Sequence, residues 1–134
     1  MKSTEGIMIE HTQCSARLAA VEDTLYVIGG KWKLKVIIAL REHGNMRFNE
    51  LQRTVTGISA RVLSNELKEL EMNGFVKRIV QTTTPVVIEY ELTDYSNSLQ
   101  QVLRAMIDWG IMHRNKIKTE AKKKRLGSPK KAAV

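Results

Sequence analysis

The sequence contains no apolar run of the roughly 20 residues that a membrane-spanning helix requires, and it has a single cysteine, Cys14. One cysteine excludes a disulfide within the chain and a metal site built from several cysteines. The histidines His11, His43 and His113 lack the spacing of metal ligands, so we expect no metal and no cofactor. Residues 1–12 are polar and have no signal-peptide pattern, which favours a cytoplasmic protein without a membrane partner.

The residue patterns of enzymes are also missing. No paired carboxylates, no nucleophile with a histidine partner and no phosphate-binding loop can be assembled from the sequence. Gly29-Gly30-Lys31 resembles a phosphate cradle but lacks the preceding glycine at the required spacing. We therefore predict a protein that is not an enzyme.

Positive charge, in contrast, is abundant and unevenly distributed. The formal net charge is +8, and residues 114–134 account for all of it, with nine Lys/Arg against Glu120 alone. Within the balanced remainder, residues 29–79 carry ten basic and five acidic side chains. A basic tail alone is weak evidence for a nucleic-acid partner, so that prediction depends on residues 29–79.

Hydrophobic periodicity divides the chain into three parts. Residues 1–15 show no clear period and are predicted to form an arm. Residues 16–117 carry helical and strand patterns and are predicted to form one domain. Residues 118–134 are rich in Lys and Ala and are predicted to be a basic, disordered tail.

Within the domain, the patterns predict four helices, a β-hairpin and a long final helix. The helices are expected at 17–28, 32–42, about 48–55 and 59–73, the strands at 75–81 and 86–92, and the final helix at 95–117. A short helix, a tight turn, a longer helix and an immediate hairpin form a winged helix-turn-helix. The predicted fold is thus of the α+β class and mainly α, with a two-stranded hairpin as the wing and flanking N- and C-terminal dimerisation helices.

The fourth helix has the pattern of a DNA-reading helix. Ser59 is a good N-cap, and one face of the helix carries Ala60, Leu63, Leu67 and Leu70. The opposite face is polar, and arginine can pair with guanine and asparagine with adenine in a major groove. The DNA contacts predicted here are Ser59, Arg61, Ser64, Asn65 and Lys68 on the helix, Arg47, Arg53, Lys77 and Arg78 around it, and Thr83 at the hairpin tip.

The alternative for this helix is an ordinary solvated face. Glu66, Glu69 and Glu71 support that alternative because acidic side chains repel phosphate. Their position toward the flank and the C-terminal half of the helix weakens the objection, since the N-terminal half normally meets the bases.

Motifs in a fixed order point to a known family. They are Ile28-Gly29-Gly30-Lys31-Trp32-Lys33, Arg47-Phe48-Asn49-Glu50-Leu51, Gly57-Ile58-Ser59, Val62-Leu63, Leu67-Lys68-Glu69-Leu70-Glu71, Glu89-Tyr90-Glu91-Leu92-Thr93 and Trp109-Gly110. Over about residues 14–113 the chain closely resembles the HxlR family of bacterial winged-helix regulators. The resemblance implies a homodimer that binds a double-stranded DNA operator and controls nearby genes, for instance as a repressor.

The final helix carries an apolar seam with heptad spacing, which predicts a partner-facing helix that pairs with residues 17–28. The dimerisation residues predicted are Leu18, Leu25, Leu99, Leu103, Met106, Trp109, Gly110 and His113. The alternative is a helix that packs only on its own domain. A two-fold symmetric dimer would favour a palindromic operator.

Cys14 is a possible redox sensor by the same resemblance, because some members of the family sense oxidants or electrophiles with a cysteine near the N-terminus. It is predicted to lie just before the helix over 17–28, whose N-terminus could activate a thiol. The alternative is a half-buried small apolar residue.

Three functions are alternative interpretations of these patterns. The first is a sequence-specific, double-stranded DNA-binding transcriptional regulator acting as a homodimer, with Cys14 as a possible switch. The second is a winged-helix module for protein–protein assembly, which would need an apolar face where residues 61–72 are polar. The third is a non-specific nucleic-acid binder that depends on the tail.

Overall fold

A computed structural model describes the backbone of residues 4–132 and the side chains of residues 13–127. The helices and strands, in chain order, are α1 (Thr4–Ile28), α2 (Lys33–His43), β1 (Met46–Arg47), α3 (Phe48–Thr54), α4 (Ala60–Met72), β2 (Val76–Gln81), β3 (Val87–Leu92), a 3₁₀ segment (Asp94–Leu99) and α5 (Gln100–Ala132). The chain forms two compact units, Met1–Ser96 and Asn97–Val134. The predicted mainly α winged helix-turn-helix is confirmed.

The core of the first unit is built where α2, α3 and α4 meet the sheet. Ile37, Leu51, Leu63 and Leu67 are essentially inaccessible to solvent, so each helix buries the apolar face that its periodicity predicts. Ala60 is exposed, although the helical wheel placed it on the core face. A helical wheel gives the direction of each side chain, but it does not show which turns of the helix pack against the rest of the protein.

The sheet has three antiparallel strands in the order β1-β3-β2. The predicted hairpin pairs β2 with β3 from Val76↔Leu92 to Gln81↔Val87. The third strand, β1, pairs with the other edge of β3 through Met46↔Tyr90. The sequence analysis predicted no strand there, because two residues are too few to show a strand's alternation.

Both terminal segments are helical where the sequence analysis predicted irregular chain. Helix α1 begins at Thr4, so residues 4–15 are not an irregular arm. Proline, which would interrupt a helix, is absent from residues 1–28. At the other end, α5 runs to Ala132, through most of the predicted disordered tail. Lysine and alanine are good helix formers, which explains this second difference.

The end of α1 depends on Gly29. A Cβ atom built on this residue would lie 2.1 Å from the backbone oxygen of Leu25, the atom that accepts the Gly29 N–H hydrogen bond. Only glycine therefore fits where the chain leaves α1 and turns toward α2. Of the helices within residues 4–132, none combines the length and apolar character needed to cross a membrane.

Candidate nucleic-acid interface

The helix-turn-helix is formed by α3, the turn over residues 55–59 and α4. Gly57 adopts a φ of 89° in this turn, a conformation that glycine adopts at little cost. The Ser59 hydroxyl then accepts a hydrogen bond from the Val62 N–H at 3.2 Å and caps α4. Turn and cap together fix where α4 begins and hence which side chains it presents.

The buried leucines of α4 determine its exposed face. Because Leu63, Leu67 and Leu70 are buried, the opposite side of the helix is turned to solvent. There, three predicted base contacts are exposed, namely Arg61, Asn65 and Lys68. Ser59 is also exposed and Ser64 is half-buried. The structure thus places the predicted reading residues on one continuous, accessible surface.

Two of the three acids that argued against DNA binding are held by one lysine. The Lys33 ammonium lies 2.8 Å from a Glu66 carboxylate oxygen and 2.5 Å from a Glu69 carboxylate oxygen. Lys33 itself is only 9% exposed. Burial by itself lowers the pKa of Lys33, but hydrogen bonds and charge attraction from the two carboxylates outweigh it, and the pKa is raised above 10.5. Lys33 therefore neutralises acidic charge on the flank of α4, and Glu71 remains exposed.

Sequence reasoning missed this ion-pair cluster. The signal was present, because Lys33 ends the Gly-Gly-Lys-Trp-Lys motif and the two glutamates are three residues apart on α4. That spacing puts both acids on one side of a helix. Only the packing of α2 beside α4 reveals that the lysine meets them.

Polar residues from α3 and its N-cap extend the surface beside α4. Arg47 and Arg53 are exposed, and the backbone N–H of Arg47 donates to the Glu50 carboxylate at 2.9 Å, which fixes the start of α3. Arg53 lines a shallow cleft of about 400 Å³ with Asn49, Gln52 and Ile58. Amide and guanidinium donors of this kind suit phosphate oxygens.

The wing offers fewer free cations than its sequence suggested. Lys77 pairs with Glu91 at 3.5 Å, a carboxylate that also accepts from the Asn45 side chain at 3.0 Å. The Thr83 hydroxyl donates to the Pro85 carbonyl oxygen at 2.7 Å within the hairpin tip. Arg78 is exposed on β2, and no carboxylate among the described side chains forms an ion pair with it.

The predicted dimerisation residues fall into two groups. Leu18 and Leu25 on α1 and Met106 and Trp109 on α5 are exposed, Trp109 to 60%. Gly110 and His113 are half-buried, and the His113 ring stacks on Trp109 at 4.8 Å.

Two members of the predicted seam do not belong to an exposed face. Leu99 and Leu103 are only 8% and 5% exposed within the single chain, so they are not free to meet a partner as predicted. Heptad spacing cannot separate residues that a chain buries itself from those it leaves open. The exposed apolar side chains Val102, Ile107 and Met112 widen the open part of α5 instead.

Cys14 is exposed and is a free thiol. It lies well inside α1, which begins at Thr4, and not at a helix N-terminus as predicted. The helix end therefore cannot supply the activation that the sequence analysis expected. Among the side chains of residues 13–127, no three of His, Cys, Asp and Glu come together as a metal-ion site.

The helices α2, α3 and α4, the hairpin after them and the polar exposed face of α4 define a winged helix-turn-helix, the architecture of DNA-binding transcriptional regulators. The sequence profile of the HxlR-like helix-turn-helix family matches residues 27–118, more than half of the chain. The protein belongs to this family, and the predicted resemblance is confirmed. It is a transcriptional regulator with a helix-turn-helix fold.

Relatives and solved structures agree with this assignment. The uncharacterized HTH-type transcriptional regulator YtcD of Bacillus subtilis (strain 168) is 43% identical over 98 residues, which cover 73% of this chain and 77% of the relative. A crystal structure of an HTH-type transcriptional regulator ytcD matches with a TM-score of 0.68 and 43% identity over 71% of this chain and 96% of that one. The redox regulator HypR in its reduced form matches with a TM-score of 0.68 and 38% identity over 75% of this chain and 98% of that one.

Proposed function

We propose that the protein recognises a specific double-stranded DNA sequence through the N-terminal half of α4. The observation that carries this proposal is the exposed row that starts in that half with Arg61 and Asn65 and continues to Lys68, opposite the buried leucines. Arginine and asparagine each make bidentate hydrogen bonds to a purine edge in the major groove. The Lys33 ion pairs support the proposal, because they hold Glu66 and Glu69 against α2 and reduce repulsion of phosphate.

Phosphate contacts around α4 would fix its register on the duplex. Arg47 and Arg53 are exposed near the start and end of α3, and Arg78 is exposed on the wing. Cations at the edges of a recognition helix bind the sugar–phosphate backbone and carry little sequence information. Lys77 contributes less in this proposal, since Glu91 already neutralises part of its charge.

Homodimerisation is the second part of the proposal. Large apolar side chains are exposed on both α1 and α5, including Leu25, Tyr26 and Met106. Large exposed apolar side chains on each of these helices mark interaction surfaces. A two-fold dimer would present two copies of α4 about one DNA turn apart and would select a palindromic operator. We place this activity with the DNA of the bacterial cytoplasm.

Selection from a random-sequence duplex library tests both parts together. We expect an enriched palindrome whose half-site centres lie about 10 base pairs apart. Enrichment of an unrelated mixture of sequences would contradict sequence-specific reading, and a single unpaired half-site would contradict the dimer. A winged-helix assembly module would enrich no sequence.

Modulation at Cys14 is a third part, supported by the exposed thiol and by the likeness to HypR, which is named a redox regulator. With diamide, the Cys14 thiols of two protomers would lose two electrons and two protons and form one disulfide, while diamide is reduced to its hydrazine. With a quinone, the thiol sulfur would add to a ring carbon, and the ring would take up the electron pair and the proton as a hydroquinone adduct.

The test of this part compares wild type with Cys14→Ser. We expect diamide or a quinone to change operator affinity of the wild type several-fold and to leave Cys14→Ser unchanged. Dithiothreitol should reverse the diamide effect and not the quinone effect. An equal response of both proteins would show that Cys14 is not the sensor.

A further inference from the structure

The C-terminal part of α5 carries cations along a single face. Arg114, Lys118, Lys122 and Arg125 follow one another at spacings of four, four and three residues, which puts them within about 80° of one another around the helix. We refer to these four residues as the basic stripe. All four side chains are exposed, and the stripe is about 17 Å long at 1.5 Å per residue.

Nothing in the described part of the chain neutralises the basic stripe. Glu120 is the sole acidic residue within 114–134, and its carboxylate lies 3.8 Å from the ammonium of Lys116. Lys116 points to a different side of α5 from the stripe, as the 100° per residue of a helix requires. The stripe therefore has no carboxylate partner among residues 13–127.

Repulsion between the cations of the basic stripe destabilises the helix, and a bound polyanion would remove this repulsion. Like charges four residues apart destabilise a helix by about 0.2–0.5 kcal/mol per pair, and the basic stripe contains two such pairs. Helix α5 nevertheless continues through and beyond it, to Ala132. A row of phosphates along the stripe would turn this repulsion into attraction.

We propose that the basic stripe binds the phosphate backbone of double-stranded DNA, as a contact that is independent of base sequence. This rests on the proposed function, because α4 is what brings a duplex to the protein. The stripe continues beyond residues 27–118, the part that matches the family, so Lys122 and Arg125 would be an addition of this chain. Adjacent cations of the stripe lie about 4.5–6 Å apart along the helix axis, a spacing at which each can neutralise a separate phosphate of a strand with a rise of about 3.4 Å per nucleotide.

The test removes equal charge from two faces of the same helix. The stripe variant is Lys118→Gln, Lys122→Gln and Arg125→Gln, and the control variant is Lys116→Gln, Lys123→Gln and Lys124→Gln. Both lose three cations from exposed positions, so a bulk effect of net charge is the same in each. Circular dichroism establishes that both keep the helix content of the wild type.

Binding is measured by fluorescence anisotropy on the duplex recovered by selection and on a scrambled duplex of the same length, over a range of NaCl concentrations. Each phosphate contact adds about 0.9 to the slope of log Kobs against log salt. We expect the stripe variant to lose about 2–3 in this slope per protomer on both duplexes, with its preference for the selected duplex unchanged. The control variant should lose less than 1.

Equal slopes for the two variants would overturn the proposal and assign the effect to diffuse charge. Unchanged slopes in the stripe variant would also overturn it. If the stripe variant instead loses binding to vesicles containing phosphatidylserine while its DNA slopes stay unchanged, the partner is an anionic membrane. The two proposals can fail independently. The salt dependence of binding tests the basic stripe, and the preference for the selected duplex over the scrambled one tests α4. A wild-type protein that binds both duplexes equally well would therefore contradict the proposed function and not the stripe.

Discussion

Replacing Lys33 by methionine would measure how much the ion pairs between Lys33 and the flank of α4 stabilise the folded protein. Methionine preserves most of the apolar stem of lysine and removes its ammonium group. Glu66, whose side chain is only 20% accessible, would then lose its partner. Breaking a buried ion pair costs about 3–5 kcal/mol, and an exposed one contributes about 0–1 kcal/mol. For this partly buried pair we expect the free energy of unfolding to fall by about 2 kcal/mol.

Urea unfolding at a fixed protein concentration measures this loss, since the stability of a dimer depends on concentration. The matched control is Glu69→Gln, because the Glu69 side chain is 56% accessible and its pairing should contribute under about 0.5 kcal/mol. A double-mutant cycle of Lys33→Met with Glu66→Gln should give a coupling energy above about 1 kcal/mol. A coupling energy near zero would refute the conclusion that Lys33 and Glu66 stabilise each other.

The pH dependence gives an independent check with a defined sign. The pKa of Lys33 in the folded protein is raised above its ordinary 10.5. The folded state therefore binds this proton more tightly than the unfolded state, and the pair's contribution is fully present below pH 10.5. It is lost as the pH rises through the folded pKa. The free energy of unfolding of the wild type should therefore fall in alkaline solution by the contribution of this ion pair. That of Lys33→Met should not show this fall, because the variant lacks the ammonium group.

Two further predictions concern the turn and the partner surface. Gly57→Ala should lower the free energy of unfolding by about 1–2 kcal/mol, because alanine disfavours the positive φ of this turn; Gly57→Asn, which tolerates that conformation better, should lose less in the same urea titration, and equal losses would point to another cause. Met106→Glu should convert the proposed homodimer to a monomer in analytical ultracentrifugation, because it puts a charge into the exposed apolar face of α5. The control Arg104→Glu introduces the same acidic side chain at a neighbouring exposed residue that is already charged, and a dimer that survives Met106→Glu would place the interface elsewhere.

The helix-turn-helix could be predicted from sequence because its determinants are local. Ser59 caps α4 and Gly74 ends it, with a φ of 84°, and both are recognisable residue types for those positions. The leucines of α4 repeat at helical spacing, so the exposed face opposite them follows from geometry alone. The exposure of Arg61 and Asn65 could therefore be predicted without knowledge of the tertiary structure.

Features that depend on tertiary packing could not be predicted in this way. Strand β1 forms because β3 has a free edge with which it pairs. Two residues are too few to show the alternating pattern that predicts a strand. Leu99 and Leu103 repeat in register with Met106, yet the chain buries the first two and exposes the third. The pairing of Lys33 with acids on α4 joins residues more than thirty positions apart, a separation at which local pattern carries no information.

The extra helical length of α1 and α5 has a different explanation. Secondary-structure prediction from periodicity detects helices that bury one face, and it passes over helices whose residues are exposed throughout. Much of α5 beyond Ile117 is of that second kind. Composition is the better guide there, since Lys and Ala favour helix even without a core to pack against.

The central claim, that α4 reads DNA bases, is tested most directly by Arg61→Ala on the selected duplex and on duplexes substituted one base pair at a time. We predict a loss of about 1–3 kcal/mol in specific binding, with relaxed preference at one base pair of each half-site and unchanged preference elsewhere. Arg104→Ala, which removes an exposed arginine from α5, should keep the wild-type preference at every position. If Arg61→Ala binds the selected duplex as tightly as wild type, with the same base preferences, α4 does not read the operator with this face.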